Sequence, residues 1–523
     1  MRTLRGALMV CGTTSDAGKS RFVTGLCRAL ARHGVRVAPF KAQNMANNSY
    51  VTGSGPEIGR AQGVQALAAG LEPEVDMNPI LLKPTGERTS QVVVLGQPRG
   101  HLDAVAYQAA KPALRATVLA SLDRLRSRFD VVIMEGAGSP AEINLLDGDL
   151  VNLWVAGAVG ARAIIVGDID RGGVFAALYG TVALLPEHLR RLVAGFVINK
   201  FRGDPALLAP GLAELEARTG VPTLGILPWT DGLDLDAEDS LALPAPGSAS
   251  RPGARGVPDE AAAGPGVPGP VLDVAVIRLP RISNFTDFDA LALEPGVTVR
   301  YVEHPGGLGH PDLVILPGSK ATVSDLAWLR GRGFVEPLSG APAVLGICGG
   351  YQMLGRVIED PVESGAGTVE GLGLLAVETR FEPAKITRQR RGTAVVPGTP
   401  RNPGDQRVSG YQIHHGRTTT DRPWVHLDDA WGADPDGAAS ADGRVFGTSL
   451  HGLFESDGVR AAFLAAVAAR QGKAFTPSGL SFTAAREAQF DRLADLLEAH
   501  VDLPALERLI ECASPASQPA ERP

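Results

Sequence analysis

Cysteine is scarce: Cys11, Cys27, Cys348 and Cys512 are the only four in 523 residues, far apart and without a CxxC pair. That excludes a disulfide framework and a zinc knuckle, so each thiol is read by its own surroundings. No apolar run reaches the roughly eighteen residues of a membrane-spanning helix. The opening MRTLRGALMVCG also lacks a signal-peptide apolar region and a small-residue cleavage site. A cytoplasmic chain with no membrane partner is expected. An excess of basic residues is missing too. The formal net charge is −7, whereas nucleic-acid binders carry a basic patch, so no nucleic-acid partner is expected.

What is present is ordinary globular material, 44% hydrophobic and 20% charged, in a length that calls for at least two cores. Residues 241–270 (LALPAPGSASRPGARGVPDEAAAGPGVPGP) hold no helical or strand period and read as a Pro/Gly/Ala-rich linker. Before it, the apolar runs ALMVCG, VVIMEG, AIIVGDID and GFVINKF alternate with helical stretches, which predicts a parallel sheet with helices on both faces. After it, VLDVAVIRLP, VTVRYVE, DLVILPGS and AVLGICGG restart the pattern. The expected organisation is an α/β domain over 1–240, the linker, a second α/β domain over 271–510, and a frayed polar tail over 511–523.

The strand Ala7–Cys11 runs into Gly12-Thr13-Thr14-Ser15-Asp16-Ala17-Gly18-Lys19-Ser20 and then an amphipathic helix. Strand, Gly-rich turn and helix N-terminus together aim backbone N–H groups at a phosphate. Lys19 would reach the terminal phosphates and Ser20 would ligate Mg²⁺. Thr13 occupies the usual first-glycine position and Gly12 comes one residue earlier, a variant that some phosphate-loop branches use. Glu135, ending VVIME, is a further Mg²⁺ or catalytic-water candidate at the carboxyl edge of the sheet. Asp168, Asp170 and Arg171 leave another strand together, and Asn199 and Lys200 end the strand GFVIN and would hold an adenine.

In the second half, AVLGICGGYQMLG reads as a strand, a sharp turn with Cys348 at its apex, and a helix. Flanking glycines allow the turn, and the helix N-terminus lowers the thiol pKa and leaves N–H groups free for an oxyanion. Gly349, with Ser319 from the loop LPGSK, would supply those two donors. A base is then needed. His451 in GTSLHG is one candidate, and His414 and His415 in GYQIHHG compete with it.

At this point the chain resembles the cobyric acid synthase family, glutamine-dependent amidotransferases of cobalamin biosynthesis. The resemblance rests on TTSDAGKS, RVAPFKAQNMANNS, GRAQ, VDMNPILLKP, VVIMEGAGSPAEINL, DIDRGGVFA, GFVINKFRGD, LPRISNFTDFD, LPGSK, GICGGYQMLG and SLHGLF, nearly the whole length. It implies a dethiobiotin-synthetase-like P-loop domain followed by a class I glutaminase-like domain. It also implies Cys348 as nucleophile and His451 as its base. Further implications are ATP and Mg²⁺ as cofactors, with no tightly bound organic cofactor, and L-glutamine and a corrinoid as substrates. Four carboxylates of adenosylcobyrinic acid a,c-diamide would be amidated through acyl phosphates, with Lys41 neutralising phosphate charge. A homo-oligomer stays open.

Two departures stand out. Class I glutaminases carry a Glu two residues after the His, and here that residue is Leu453. The family's GYEIH string is here GYQIH, with Gln412 in place of the acid. A third member of the catalytic group is therefore not legible. The alternatives are the sister enzyme that amidates the a and c carboxylates, disfavoured by NMANNS and DIDRGG, and a partner-binding P-loop ATPase with an inactive glutaminase-like appendage.

Overall fold

The computed structural model describes residues 4–86, 88–233, 272–396 and 407–512. The expected linker, 241–270, lies outside them, as does the tail beyond Cys512. Among the described residues no helix is long and apolar enough to cross a membrane.

The first half is built on six parallel strands: β1 (Gly6–Gly12), β2 (Val37–Phe40), β3 (Val131–Glu135), β4 (Arg162–Asp168), β5 (Val193–Phe201) and β6 (Thr223–Pro228). Their order is β6-β5-β4-β1-β3-β2. Ala7 to Cys11 are all fully buried, as expected of a strand covered on both faces, where alternation gives way to a continuous apolar run. Helix α1 (Lys19–Arg32) follows the first strand and turns Phe22, Val23, Leu26, Cys27 and Leu30 inward, a stripe at helical spacing. Beyond β2 a four-stranded sheet of Gln43–Met45, Ile80–Pro84, Thr89–Val94 and Gln97–Asp103 extends this half.

The second half repeats the principle with β7 (Leu272–Ile277), β8 (Val297–Val302), β9 (Leu313–Leu316), β10 (Val344–Ile347), β11 (Ala438–Ala439) and β12 (Val445–Thr448). The order is β8-β7-β9-β10-β12-β11, parallel except for the β11 edge. A further sheet contains the long strands Glu378–Ala394 and Arg407–Thr419, paired antiparallel.

The two α/β layers answer the sequence expectation, with one difference at the end of the chain. Helices α3 (Phe482–His500) and α4 (Leu503–Glu511) share the second half's core only through Phe482 and, partly buried, Ala485 at the start of α3. Instead Leu497, Val501, Leu506 and Ile510 join Leu8, Val10, Phe22 and Leu26 in one buried cluster of the first half. A Cβ on Gly25 would stand 2.2 Å from Leu497 Cδ1, and one on Gly6 would stand 1.8 Å from the Ile510 carbonyl oxygen. Arg28 forks onto Asp491 at 2.8 and 3.1 Å. The packing thus places Leu497, Val501, Leu506 and Ile510, which the sequence reading put in the 271–510 domain, against the first half's sheet. Helical periodicity marks a face to bury without saying which sheet receives it.

Candidate functional site

The expected nucleotide-binding side chains meet at the carboxyl edge of the first sheet, where β1 is flanked by β4 and β3. Gly18 takes φ 102° as α1 begins, a left-handed conformation suited to glycine. A Cβ there would fall 2.0 Å from Asn199 Nδ2. Asn199 donates to the Ala17 carbonyl at 3.0 Å, so it lies under the loop and braces it. Lys200 ties down the same turn by donating to Asp16 O at 2.9 Å and Asp168 Oδ2 at 2.8 Å. The exposed Asp16 carboxylate pairs with Arg171 at 3.1 Å. Lys19 is buried and donates to Thr14 O at 2.9 Å and Gly138 O at 3.3 Å, its ammonium folded over the loop. It lies so close to Gly12 that a Cβ there would meet Nζ at 2.9 Å.

Glu135 is the hub of the site. Fully buried, it accepts from Ser20 Oγ at 2.9 Å, Lys41 Nζ at 2.8 Å and Gln65 Nε2 at 2.5 Å. A carboxylate this deep is stabilised by the ammonium and by hydrogen bonds on both oxygens. Gln65 went unnoticed in the sequence because a glutamine inside GRAQGVQALA carries no chemical signal of its own.

The second site forms at the carboxyl ends of β10 and β12. Cys348 sits between β10 and helix α2 (Gly349–Leu354) at φ 50°, ψ −107°, a strained conformation for a residue with a side chain. Its N–H donates to Thr448 O at 2.8 Å, pinning the turn to β12. Gly350 is required there, since a Cβ would lie 1.9 Å from the Leu316 carbonyl oxygen. Gly349 backs onto Ser319, the Cβ position being 2.9 Å from Ser319 N. The two expected oxyanion residues are therefore neighbours. The Ser319 hydroxyl is turned aside and donates to Asp325 Oδ2 at 2.6 Å.

His451 is fully buried, stacked on Tyr411 with ring centroids 5.2 Å apart. Its Nδ1 donates to Asp287 Oδ2 at 2.7 Å, and Asp287 Oδ1 accepts from Gly452 N at 2.8 Å. Burial alone would depress the imidazole pKa, but the Asp287 carboxylate and Cys348 outweigh it and raise it well above the ordinary value. A carboxylate thus does meet His451, from Asp287 and not from position 453, which is Leu. Gln412 does not reach His451; it accepts from Arg390 at 3.2 Å and donates to Ser449 Oγ at 2.8 Å.

The competing histidines are engaged elsewhere. His414 Nδ1 donates to Gly416 O at 2.7 Å, and desolvation pushes its pKa down to about 3, so the ring is neutral. His415 Nδ1 donates to Glu382 O at 3.0 Å. The cavity around Cys348 is lined by both halves, with Lys83 from the first beside Lys320 and Lys385 from the second. Glu57 binds Lys83 at 2.8 Å and also Lys385, forming a buried ion cluster across the junction. These two lysines hold the Glu57 carboxyl well below its usual range despite its desolvation.

Residues 8–242 match the family model described as the CobQ/CobB/MinD/ParA nucleotide binding domain. Residues 273–459 match the CobB/CobQ-like glutamine amidotransferase domain. Fold and matches together define a glutamine amidotransferase joined to a P-loop nucleotide-binding unit. The chain is also 53% identical to the cobyric acid synthase of Nocardia farcinica, with 99% of each chain covered. It is 53% identical to those of Frankia casuarinae (99% of each) and Rhodococcus jostii (99% of this chain, 98% of the relative). The chain belongs to the cobyric acid synthase family.

Proposed function

We propose that this chain converts adenosylcobyrinic acid a,c-diamide to adenosylcobyric acid, amidating the b, d, e and g carboxylates with ammonia released from L-glutamine and with ATP as activator. The observation that carries the reading is the imidazole of His451, bound to Asp287 Oδ2 at 2.7 Å and adjoining Cys348, in one chain with a phosphate loop.

In the glutaminase half, His451 Nε2 takes the Cys348 proton and the thiolate attacks the carboxamide carbon of glutamine. Backbone N–H groups of Gly349 and Ser319 receive the oxyanion. His451 returns the proton to the departing ammonia, and water then hydrolyses the thioester to glutamate. Asp287 holds the imidazole in the tautomer this needs.

In the synthase half, a substrate carboxylate oxygen attacks the terminal phosphorus of ATP, giving an acyl phosphate and ADP. Ammonia then attacks the carbonyl carbon and inorganic phosphate leaves. A carboxylate has no adequate leaving group until this activation. Release of ammonia nearby delivers it unprotonated and at high local concentration. Lys19 and Lys41 supply positive charge to the phosphates.

Ser20 Oγ and Glu135, 2.9 Å apart, are hard oxygen donors that fit Mg²⁺, an ion usually held by one or two protein oxygens with phosphate oxygens and water. Among the described residues no group of three or more His, Cys, Asp or Glu forms a protein cage for a metal. Mg²⁺ bound there would neutralise phosphate charge.

The test is mass spectrometry of the corrinoid a,c-diamide incubated with protein, MgATP and glutamine, beside Cys348→Ala given glutamine or ammonium. Four stepwise exchanges of hydroxyl for amino group are expected. In the variant they stop with glutamine and resume with ammonium. No mass change under any condition, with ATP bound to folded protein, overturns the corrinoid assignment.

A further inference from the structure

Asn284 lies between the two halves in a left-handed conformation, φ 52° and ψ 40°, which asparagine tolerates better than most residues. Its Oδ1 accepts from the backbone N–H of Ser49, in the first half, at 3.0 Å. Its Nδ2 stands 3.2 Å from Nε2 of His451. The orientation of the amide is dictated by chemistry, because Ser49 N–H can only donate and so must face the oxygen. Nδ2 then has only hydrogens to offer, so the contact is one made with the neutral ring of His451, whose Nε2 presents its lone pair to them. The ring proton is left on Nδ1, where Asp287 accepts it.

That lone pair is the one needed to take the Cys348 proton. Once protonated, Nε2–H would face an N–H₂ group, two donors in contact, unless Asn284 turned over its amide and gave up Ser49. Asp287, Cys348 and Asn284 therefore act on one imidazole in opposite senses: the first two favour its protonation and the third opposes it. Tyr411 stacks on the ring, and His414 contributes no charge while neutral.

Ser49 is itself held by the junction. Its hydroxyl donates to Glu57 Oε2 at 3.1 Å and accepts from Lys83 Nζ at 2.8 Å. Next to it, Asn48 Oδ1 accepts from Phe285 N at 3.3 Å.

We propose that Asn284 is a positioning residue that couples the glutaminase base to the synthase half: held by Ser49, it occupies His451 Nε2 and restrains ionisation of Cys348, and displacement of Ser49 releases it. This rests on the reading of Cys348 as a glutaminase nucleophile.

The experiment follows iodoacetamide alkylation of Cys348 in the full chain, by mass spectrometry of the Cys348 peptide so that exposed Cys512 does not interfere. Without synthase substrates, Asn284→Ala and Asn284→Asp should react on the order of tenfold faster than wild type, the change that one unit of thiol pKa makes. The Asp variant keeps an acceptor for Ser49 and offers a second to protonated His451, so its thiol midpoint moves furthest down. Wild type should approach the variant rates when MgATP and the corrinoid diamide are added, and the variants should barely respond. Wild-type rates in both variants, with melting temperatures matching wild type, overturn the proposal. If the Ala variant fails to fold, the Asp variant decides. Separately, glutamine-dependent amidation surviving in Cys348→Ala would sink the glutaminase reading, an outcome distinct from equal alkylation rates.

Discussion

Asp287 and His451 are 164 positions apart in the chain, yet carboxylate and imidazole meet at 2.7 Å in a fully buried contact. The carboxylate beside His451 comes from the turn Phe285–Phe288, following β7. Replacing Asp287 by Asn should leave the fold intact and lower glutamine-dependent amidation by about 10²–10⁴-fold, through loss of the tautomer and of charge stabilisation. Ammonium-dependent amidation should hardly change. Equal losses with both nitrogen sources would rule out a role confined to the glutaminase.

Lys41 and Glu135 form a buried pair at 2.8 Å. Lys41→Met alone strands a buried carboxylate and should destabilise the protein by about 3–5 kcal/mol. The double variant Lys41→Met/Glu135→Gln should regain most of that stability while remaining inactive with ammonium. Denaturant midpoints together with turnover separate the two effects; a double variant as unstable as the single one would contradict the pairing.

His414 should leave a signature in the dependence of stability on pH. Its folded pKa, about 3, lies below the unfolded value of about 6.5. Between the two, the unfolded chain binds the extra proton, so stability falls as pH is lowered from about 6.5 toward 3. His414→Gln should show a shallower fall than wild type in denaturation midpoints over that window. Parallel curves would mean that His414 titrates normally.

Leu497 fills the space left by Gly25 on α1 and is 1% exposed. Leu497→Ala should cost about 2–5 kcal/mol, and hydrogen exchange should speed up in β1 and α1 more than in β10. Deleting residues 482–512 should leave the first sheet's apolar face uncovered and the protein insoluble. A soluble truncated chain that still binds ATP would refute this.

What the sequence disclosed was local. Gly18, Lys19 and Ser20 on one turn, and Cys348 between glycines, could be read because strand, turn and helix follow one another without interruption. His451 needed the family resemblance, since a single histidine has no periodic context. Asp287 escaped although it stands in LPRISNFTDFD, because nothing in a short acidic loop indicates which distant imidazole it will meet. Asn199, expected at the adenine, donates to Ala17 O at 3.0 Å; its position at a strand end was legible, its hydrogen bond to the loop was not. The Gly349–Ser319 adjacency followed from two separate loops at neighbouring strand ends, which the β9–β10 pairing makes neighbours in space.

The return of α3 and α4 to the first sheet also orders events during synthesis. The nucleotide-binding half is made before the second, but Leu8, Val10 and Phe22 wait for Leu497, Val501 and Ile510, which emerge only after the second half's sheet. Until then one face of its sheet is open to water or to a chaperone. A chain cut short within the second half would therefore leave the first half's sheet uncovered as well.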